Sequence, residues 1–248
     1  MRNYEQELQD RVLFLKEILY TSGAKGFVYG NSGGKDSALT GILCRKACEN
    51  TLGIIMPCQS SRNYEEDRKD GLAVARQFSI ETIEVDLSEV KQAFIQSLGK
   101  VQEITDGASA NIAPRLRMTT LYAAAQSRGA LVAGTGNRSE RYVGYFTKWG
   151  DGAFDVNPIA DLTVTEIYEF LRYLGAPSQI LEKAPSAGLF EGQTDEGELG
   201  FSYRALDDFL FTGQGEEMAL GKIHSMHQNS AHKRRESAAY RSDWRDLK

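Results

Sequence analysis

Ser32, Lys35, Asp36 and Ser37 stand close together in Gly30-Asn31-Ser32-Gly33-Gly34-Lys35-Asp36-Ser37, two hydroxyls, an ammonium and a carboxylate set among glycines. Gly33 and Gly34 let the backbone turn so that several N–H groups converge, and a turn of that kind opening a helix holds an anion. The hydroxyls add donors. A bare phosphate would be repelled by Asp36, so the carboxylate implies a divalent cation between it and the nucleotide oxygens, most simply magnesium. These residue types at this spacing describe a site for pyrophosphate and its metal.

Two other motifs overlap the same stretch. A Walker A loop requires Gly-Lys-Ser/Thr, and here Lys35 is followed by Asp36. Gly30-Asn31-Ser32-Gly33-Gly34 does fit Gly-x-Ser-x-Gly, the nucleophile elbow of serine hydrolases. A hydrolase also needs an acid and a histidine, and His224, His227 and His232 all lie in a polar C-terminal stretch poorly suited to a buried triad. A second glycine turn, Gly134-Thr135-Gly136, leads to Glu140. Thr135 offers a hydroxyl to phosphate or adenosine, and Glu140 could meet Asp36 across a crevice to share one magnesium ion. The plain structural alternative for Glu140 is a first-turn helix acid favoured by the macrodipole.

The elements that must position these groups follow from periodicity. Residues 3 to 21 carry apolar side chains at helical spacing and stop at Ser22-Gly23. Phe27 to Tyr29 reads as a buried strand, and Ala38 to Cys48 as the helix after the loop. Strand-like runs recur at Leu52 to Met56, Glu81 to Val85 and Ala130 to Ala133, separated by helical stretches at Tyr64 to Phe78, Leu87 to Leu98 and Arg115 to Ser127. That alternation predicts an α/β fold, a doubly wound parallel sheet with helices on both faces. In such sheets ligands bind at the carboxyl ends of the strands, so both glycine turns should face one crevice. Residues 183 to 200, with four glycines and four acids, read as a lid loop over it, and residues 213 to 248 as a polar C-terminal tail.

With 248 residues the chain can bury a sizeable core, and it reads as a single domain over 1 to 248. A net charge of -5 argues against nonspecific nucleic-acid or anionic-membrane binding. No apolar run approaches a membrane span and the first residues lack a signal core, so a cytoplasmic protein is expected. Cys44, Cys48 and Cys58 form no Cys-x-x-Cys spacing and read as buried free thiols.

The Ser-Gly-Gly-x-Asp-Ser loop resembles that of the N-type ATP pyrophosphatases, which split ATP between its α and β phosphates. The loop by itself does not choose among their members. Further segments do: Asn111-Ile112-Ala113-Pro114-Arg115-Leu116-Arg117-Met118, Gly134-Thr135-Gly136-Asn137-Arg138-Ser139-Glu140, Gly144-Tyr145-Phe146-Thr147-Lys148-Trp149-Gly150-Asp151-Gly152, Ala184-Pro185-Ser186-Ala187, Asp195-Glu196-Gly197-Glu198-Leu199-Gly200 and His232-Lys233-Arg234. Together these resemble the ammonia-dependent NAD synthetases over most of the chain.

The resemblance implies an adenine nucleotide alpha hydrolase-like, Rossmann-like fold and the ATP-dependent amidation of deamido-NAD by ammonia through an acyl adenylate, yielding NAD, AMP and pyrophosphate. It assigns Asp36 and Glu140 to magnesium, and Gly30, Asn31, Ser32, Gly33, Gly34, Lys35, Asp36, Ser37, Thr135 and Ser186 to ATP. Arg115, Lys148, Asp155, His232 and Lys233 fall at the positions that contact deamido-NAD. A homodimer is implied as well. Since the loop strand begins by residue 26, no preceding amidohydrolase domain is expected, and free ammonia is the expected nitrogen donor unless a separate glutaminase subunit supplies it.

Ammonia is mostly ammonium at neutral pH, and Asp151, between Gly150 and Gly152, is the candidate proton acceptor; its alternative is a turn residue holding those glycines in place. The chain departs from the family pattern at Val164, where a phosphate-contacting lysine is common, and Lys183 or Lys222 could substitute. That departure keeps a nucleotide-binding regulator without turnover as an alternative, beside a tRNA-modifying ATP pyrophosphatase.

Overall fold

The computed structural model describes residues 2–58, 64–183, 195–237 and 239–240. The chain enters on helix α1 (Tyr4–Ser22), capped by the Asn3 side chain and ended by Gly23 in the left-handed conformation. Then follow β1 (Phe27–Gly30), α2 (Lys35–Ala47), β2 (Thr51–Ile55), α3 (Tyr64–Gln77), β3 (Glu81–Glu84), α4 (Ser88–Gly99), α5 (Asp106–Ala110), α6 (Ile112–Arg128) and β4 (Leu131–Val132). The second half is helical: α7 (Arg138–Val143), α8 (Val164–Tyr173), α9 (Ser178–Glu182), α10 (Asp195–Leu199), α11 (Tyr203–Thr212), α12 (Glu217–Asn229) and α13 (Ala231–Arg234).

All three strand pairings are parallel, in the order β3-β2-β1-β4, so the direction of winding reverses between β1 and β4. Alternation along β1 builds two cores. Phe27 and Tyr29 pack with Leu15, Leu39, Ile42 and Phe170 on one face, while Val28 packs with Leu52, Ile54 and Val132 on the other. Burying each such large aliphatic side chain contributes about 1.5–3 kcal/mol. The Tyr29 ring fits because α2 has Gly41 beneath it; a Cβ there would lie 2.3 Å from the hydroxyl. Arg11 ties α1 to the loop before α8, its guanidinium 2.7 and 3.0 Å from the two Asp161 oxygens.

Several boundaries differ from the sequence expectation. Helix α2 starts at Lys35 rather than Ala38, because Lys35 and Asp36 form its first turn, where an acid is favourable and no apolar periodicity is required. Helix α6 starts at Ile112 rather than Arg115, since Pro114 is tolerated in a first helical turn. The stretch beyond Gly213, expected as a polar tail, carries α12, whose Ile223 is fully buried beside Val143, Leu206 and Tyr203. Most of the expected lid, residues 184 to 194, lies outside the described residues. No helix among the described residues is long and apolar enough to cross a membrane.

Candidate active site

The reversal point between β1 and β4 opens into a cavity of about 760 Å³, a volume suited to a nucleotide-sized ligand. Both glycine turns reach it, as Gly30 to Ser32 and Gly34 to Ser37 from one side and Gly134 to Gly136 from the other. Gly33 has φ +75°, and a Cβ there would lie 2.0 Å from the Asp67 carbonyl oxygen, so the turn and its packing against α3 both require glycine. Gly34 is the N-cap of α2 and no side chain caps that helix. The first amides of α2 thus lack intrahelical acceptors at the positive end of the helix, the arrangement that receives an anion.

Within the loop, Ser32 Oγ donates to Ser37 Oγ at 3.1 Å and Ser37 Oγ donates to the Gly34 carbonyl at 3.0 Å, so the hydroxyls brace the turn. Asn31 is buried, and its amide donates to the Gly71 carbonyl of α3 at 3.1 Å, anchoring the turn rather than facing the cavity centre. Lys35 is buried too. Its Nζ lies 2.7 Å from Asp36 Oδ2 and 5.7 Å from the centre of the Tyr203 ring. Burial opposes the ammonium charge, yet attraction from Asp36 and Glu140 holds the Lys35 pKa above the ordinary lysine range.

Asn137 joins the two carboxylates. Its Nδ2 donates to Asp36 Oδ1 at 3.0 Å, and its backbone N–H donates to Glu140 Oε2 at 3.2 Å. Glu140 returns its own N–H to Asn137 Oδ1 at 2.9 Å, completing a capping box at the start of α7. Glu140 is therefore a helix-capping acid and a cavity acid at once. Burial, and then the Asp36 charge, push its carboxyl up to about 8. Asp195 adds a third acid on the same wall, accepting from the Tyr203 hydroxyl at 3.2 Å. Asp207, buried between helices, accepts from Ser139 of α7 and from the Thr165 N–H of α8 at 2.8 Å, and so fixes these helices to α11.

Among the described residues no group of three or more acids, histidines or cysteines is arranged to hold a metal by itself. Asp36 and Glu140 still fit magnesium, which usually takes one or two protein carboxylates and completes its octahedron with water and substrate phosphate. Burial first, and then repulsion from Asp36, raise the Glu140 carboxyl, and a bound cation would relieve the second of these.

The opposite end of the cavity is basic. Lys233 lines it and donates to the Gly144 and Phe146 carbonyls at 2.8 and 2.7 Å, with burial lowering its pKa. Asp151 lines it as well, its surface turned to the cavity, and accepts from the Thr147 N–H at 2.9 Å; the enclosing walls push its carboxyl up. Arg115, Lys148 and His232 are not among the residues lining the cavity, but they are linked to one another: Arg115 donates to the Lys148 carbonyl at 3.3 Å, and Lys148 Nζ to the His232 carbonyl at 2.8 Å. Asp155 is placed differently. Its carboxylate accepts from the Val132 N–H at 2.8 Å and from the Tyr122 hydroxyl at 3.2 Å, bracing the end of β4. Thr135 lines the cavity, and Ser186 lies outside the described residues.

The two lysines that could substitute for one at position 164 are engaged by other groups. Lys183 Nζ contacts Asp67 at 2.6 Å and Asp70 at 2.7 Å, and Lys222 Nζ reaches the Gly200 carbonyl at 3.4 Å. Val164 is buried against Val143, Leu199 and Leu206, an apolar setting. The sequence alone does not single out Asn137, Asp195, Tyr203 or Arg117, all polar residues that the fold gathers from separate helices. Only the acid run beginning at Asp195 gave a local signal.

The chain matches the NAD synthase family model over residues 7–237. It is 48% identical over 236 residues to an NH(3)-dependent NAD(+) synthetase of Carboxydothermus hydrogenoformans, covering 94% of this chain and 96% of that relative. Among solved structures, NMN synthetase from Francisella tularensis superposes with a TM-score of 0.92 at 37% identity, covering 97% of this chain and 99% of that one. The NH3-dependent NAD synthetase from Campylobacter jejuni superposes with a TM-score of 0.80 at 27% identity, covering 97% and 100%.

Proposed function

The chain belongs to the NAD synthase family, and from that premise we infer that it is an ATP-dependent ligase joining ammonia to the pyridine carboxylate of deamido-NAD. The observation that carries this reading is 48% identity to an ammonia-dependent relative over nearly the full length of both chains. The parallel α/β sheet with its glycine turn at the switch point agrees with it.

A carboxylate is a poor electrophile, so its oxygen first attacks the α phosphorus of ATP, the bridge to the β phosphate breaks, and pyrophosphate leaves an acyl adenylate. Ammonia then attacks the acyl carbon, loses a proton, and AMP departs with the original carboxylate oxygen. We assign the residues as follows. The loop from Gly30 to Ser37, with Thr135 and Ser186, holds the ATP phosphates and adenosine, supported by the uncapped amides of α2. Lys35 supplies fixed positive charge beside them. Asp36 and Glu140 would hold magnesium, which when bound offsets negative charge on the departing pyrophosphate. Lys233, Arg115, Lys148 and His232 form the anionic substrate's basic end, with Asp155 bracing the strand beside it or accepting from sugar hydroxyls. Asp151 accepts the ammonium proton, a role favoured by a carboxyl whose pKa is already raised. No protein nucleophile is required.

We further propose a homodimer acting in the cytoplasm. Val90 and Phe94, each 49% exposed on α4, offer apolar surface for a second subunit, and three free thiols suit a reducing compartment.

The test is mass spectrometry of products after mixing the protein with ATP, magnesium, ammonium and deamido-NAD. Equal amounts of AMP, pyrophosphate and the amide are expected; ADP with phosphate, or binding without turnover, contradicts the reading. A second acceptor is favoured by one observation, the 0.92 superposition on an NMN synthetase. The same assay with the mononucleotide acid decides it: a higher kcat/KM for the mononucleotide than for deamido-NAD makes the smaller acid the preferred substrate.

A further inference from the structure

Arg117 stands on α6 two residues beyond Arg115 and lines the cavity together with Gly30, Asp36, Thr135 and Asp151. Among the described residues only its Nε has a partner, the Met56 carbonyl oxygen at 3.0 Å, at the carboxyl end of β2. It makes no ion pair with any described residue. The Nη groups are not sealed in protein either, because the buried unpartnered side-chain polar atom among the described residues is the Tyr29 hydroxyl. They open onto the cavity.

That makes Arg117 unlike other cations lining the cavity. Lys35 is paired with Asp36, Lys183 with Asp67 and Asp70, and Lys233 donates to two carbonyls. The acids that attract Arg117 through space are Asp151 and Asp67, and both are engaged, the first by the Thr147 amide and the second by Lys183. A guanidinium carries five N–H donors in a rigid fork matched to two oxygens of a carboxylate or phosphate. One donor is used here. A partly buried cation without a carboxylate is unfavourable unless a ligand supplies the anion.

We propose that Arg117 binds paired anionic oxygens of a substrate, the pyridine carboxylate or a phosphate of ATP, from the floor of the cavity between the end of β2 and Asp151. Its Met56 bond holds the fork in place, so the ligand meets a preset donor pair. The proposal rests on the ligase reading above and adds a binding residue to it.

Calorimetric titration of the protein, separately with a non-hydrolysable ATP analogue and with deamido-NAD, tests it in Arg117→Gln and Arg117→Lys. Glutamine keeps a donor for the Met56 carbonyl while removing charge and fork; lysine keeps charge alone. The Gln variant should bind one of the two compounds about tenfold or more weakly, with the Lys variant between it and wild type. A loss confined to the ATP analogue identifies the phosphate, and a loss confined to deamido-NAD identifies the carboxylate. Affinities within about twofold of wild type for both compounds, in variants with native circular dichroism, overturn the proposal. Wild-type turnover, measured alongside, judges the ligase reading by itself.

Discussion

The two ends of the cavity solve the same problem, an anionic substrate, in different ways. At the glycine-loop end the charged groups are held by side-chain partners: Lys35 on Asp36, Asp36 on Asn137, and Glu140 in a capping box with the same asparagine. At the basic end the cations are held by backbone carbonyls, as Lys233 is by Gly144 and Phe146 and Lys148 is by His232. Carbonyls orient an ammonium without neutralising it. On the proposed assignment the first end is preorganised for phosphate and metal, where misplacement of charge costs rate, and the second keeps its charge available for binding.

Removing the carboxylate at the preorganised end should do the most damage. Asp36→Asn is expected to lower kcat by about a thousandfold or more while the protein stays folded, read by AMP release at saturating substrates. A loss confined to KM would erase the distinction between the ends. Lys233→Met should instead raise KM for deamido-NAD by about 10- to 100-fold with the KM for ATP little changed, as expected for a charge-assisted contact. A shift in the ATP constant of equal size would show that the basic end also holds the nucleotide.

Asp151→Asn sharpens the comparison from the boundary between the ends. The KM for ammonium should rise by about tenfold or more, while exchange of labelled pyrophosphate into ATP, which reads adenylate formation, continues. Equal loss of both half-reactions would reduce Asp151 to a turn residue. The smallest effect concerns pH. The Glu140 carboxyl stands at about 8 in the folded protein, against about 4.3 in an unfolded chain. Between these values the folded state holds a proton that the unfolded chain has released, so stability in the absence of metal should fall as pH rises from about 4.5 to about 8. Thermal melts in EDTA should show a slope of about 5 °C or less per pH unit that Glu140→Gln flattens and Lys233→Met leaves intact.

The same contrast governs what the sequence could reveal. The loop was legible because Gly33, Gly34, Asp36 and Ser37 act within one turn, and the continuous burial of Phe27, Val28 and Tyr29 is local too. The start of α2 was not, since Lys35 and Asp36 show no apolar period. Asn137, Asp195 and Arg117 enter the site only through tertiary packing, from α7, α10 and α6, and residue spacing carries no signal for that. The basic rim was found only through resemblance, because an isolated lysine or arginine in a sequence looks the same whether it faces solvent or a substrate. Asp155 adds a contact that spacing did not show: its carboxylate accepts from Val132 and Tyr122, beside the strand end.

The central claim is that the pyridine carboxylate attacks the α phosphorus of an ATP held by the first glycine turn. Deamido-NAD labelled with oxygen-18 in that carboxylate tests it most directly. One labelled oxygen should appear in AMP for each amide formed, and none in pyrophosphate; label in inorganic phosphate, or AMP free of label, would contradict the account.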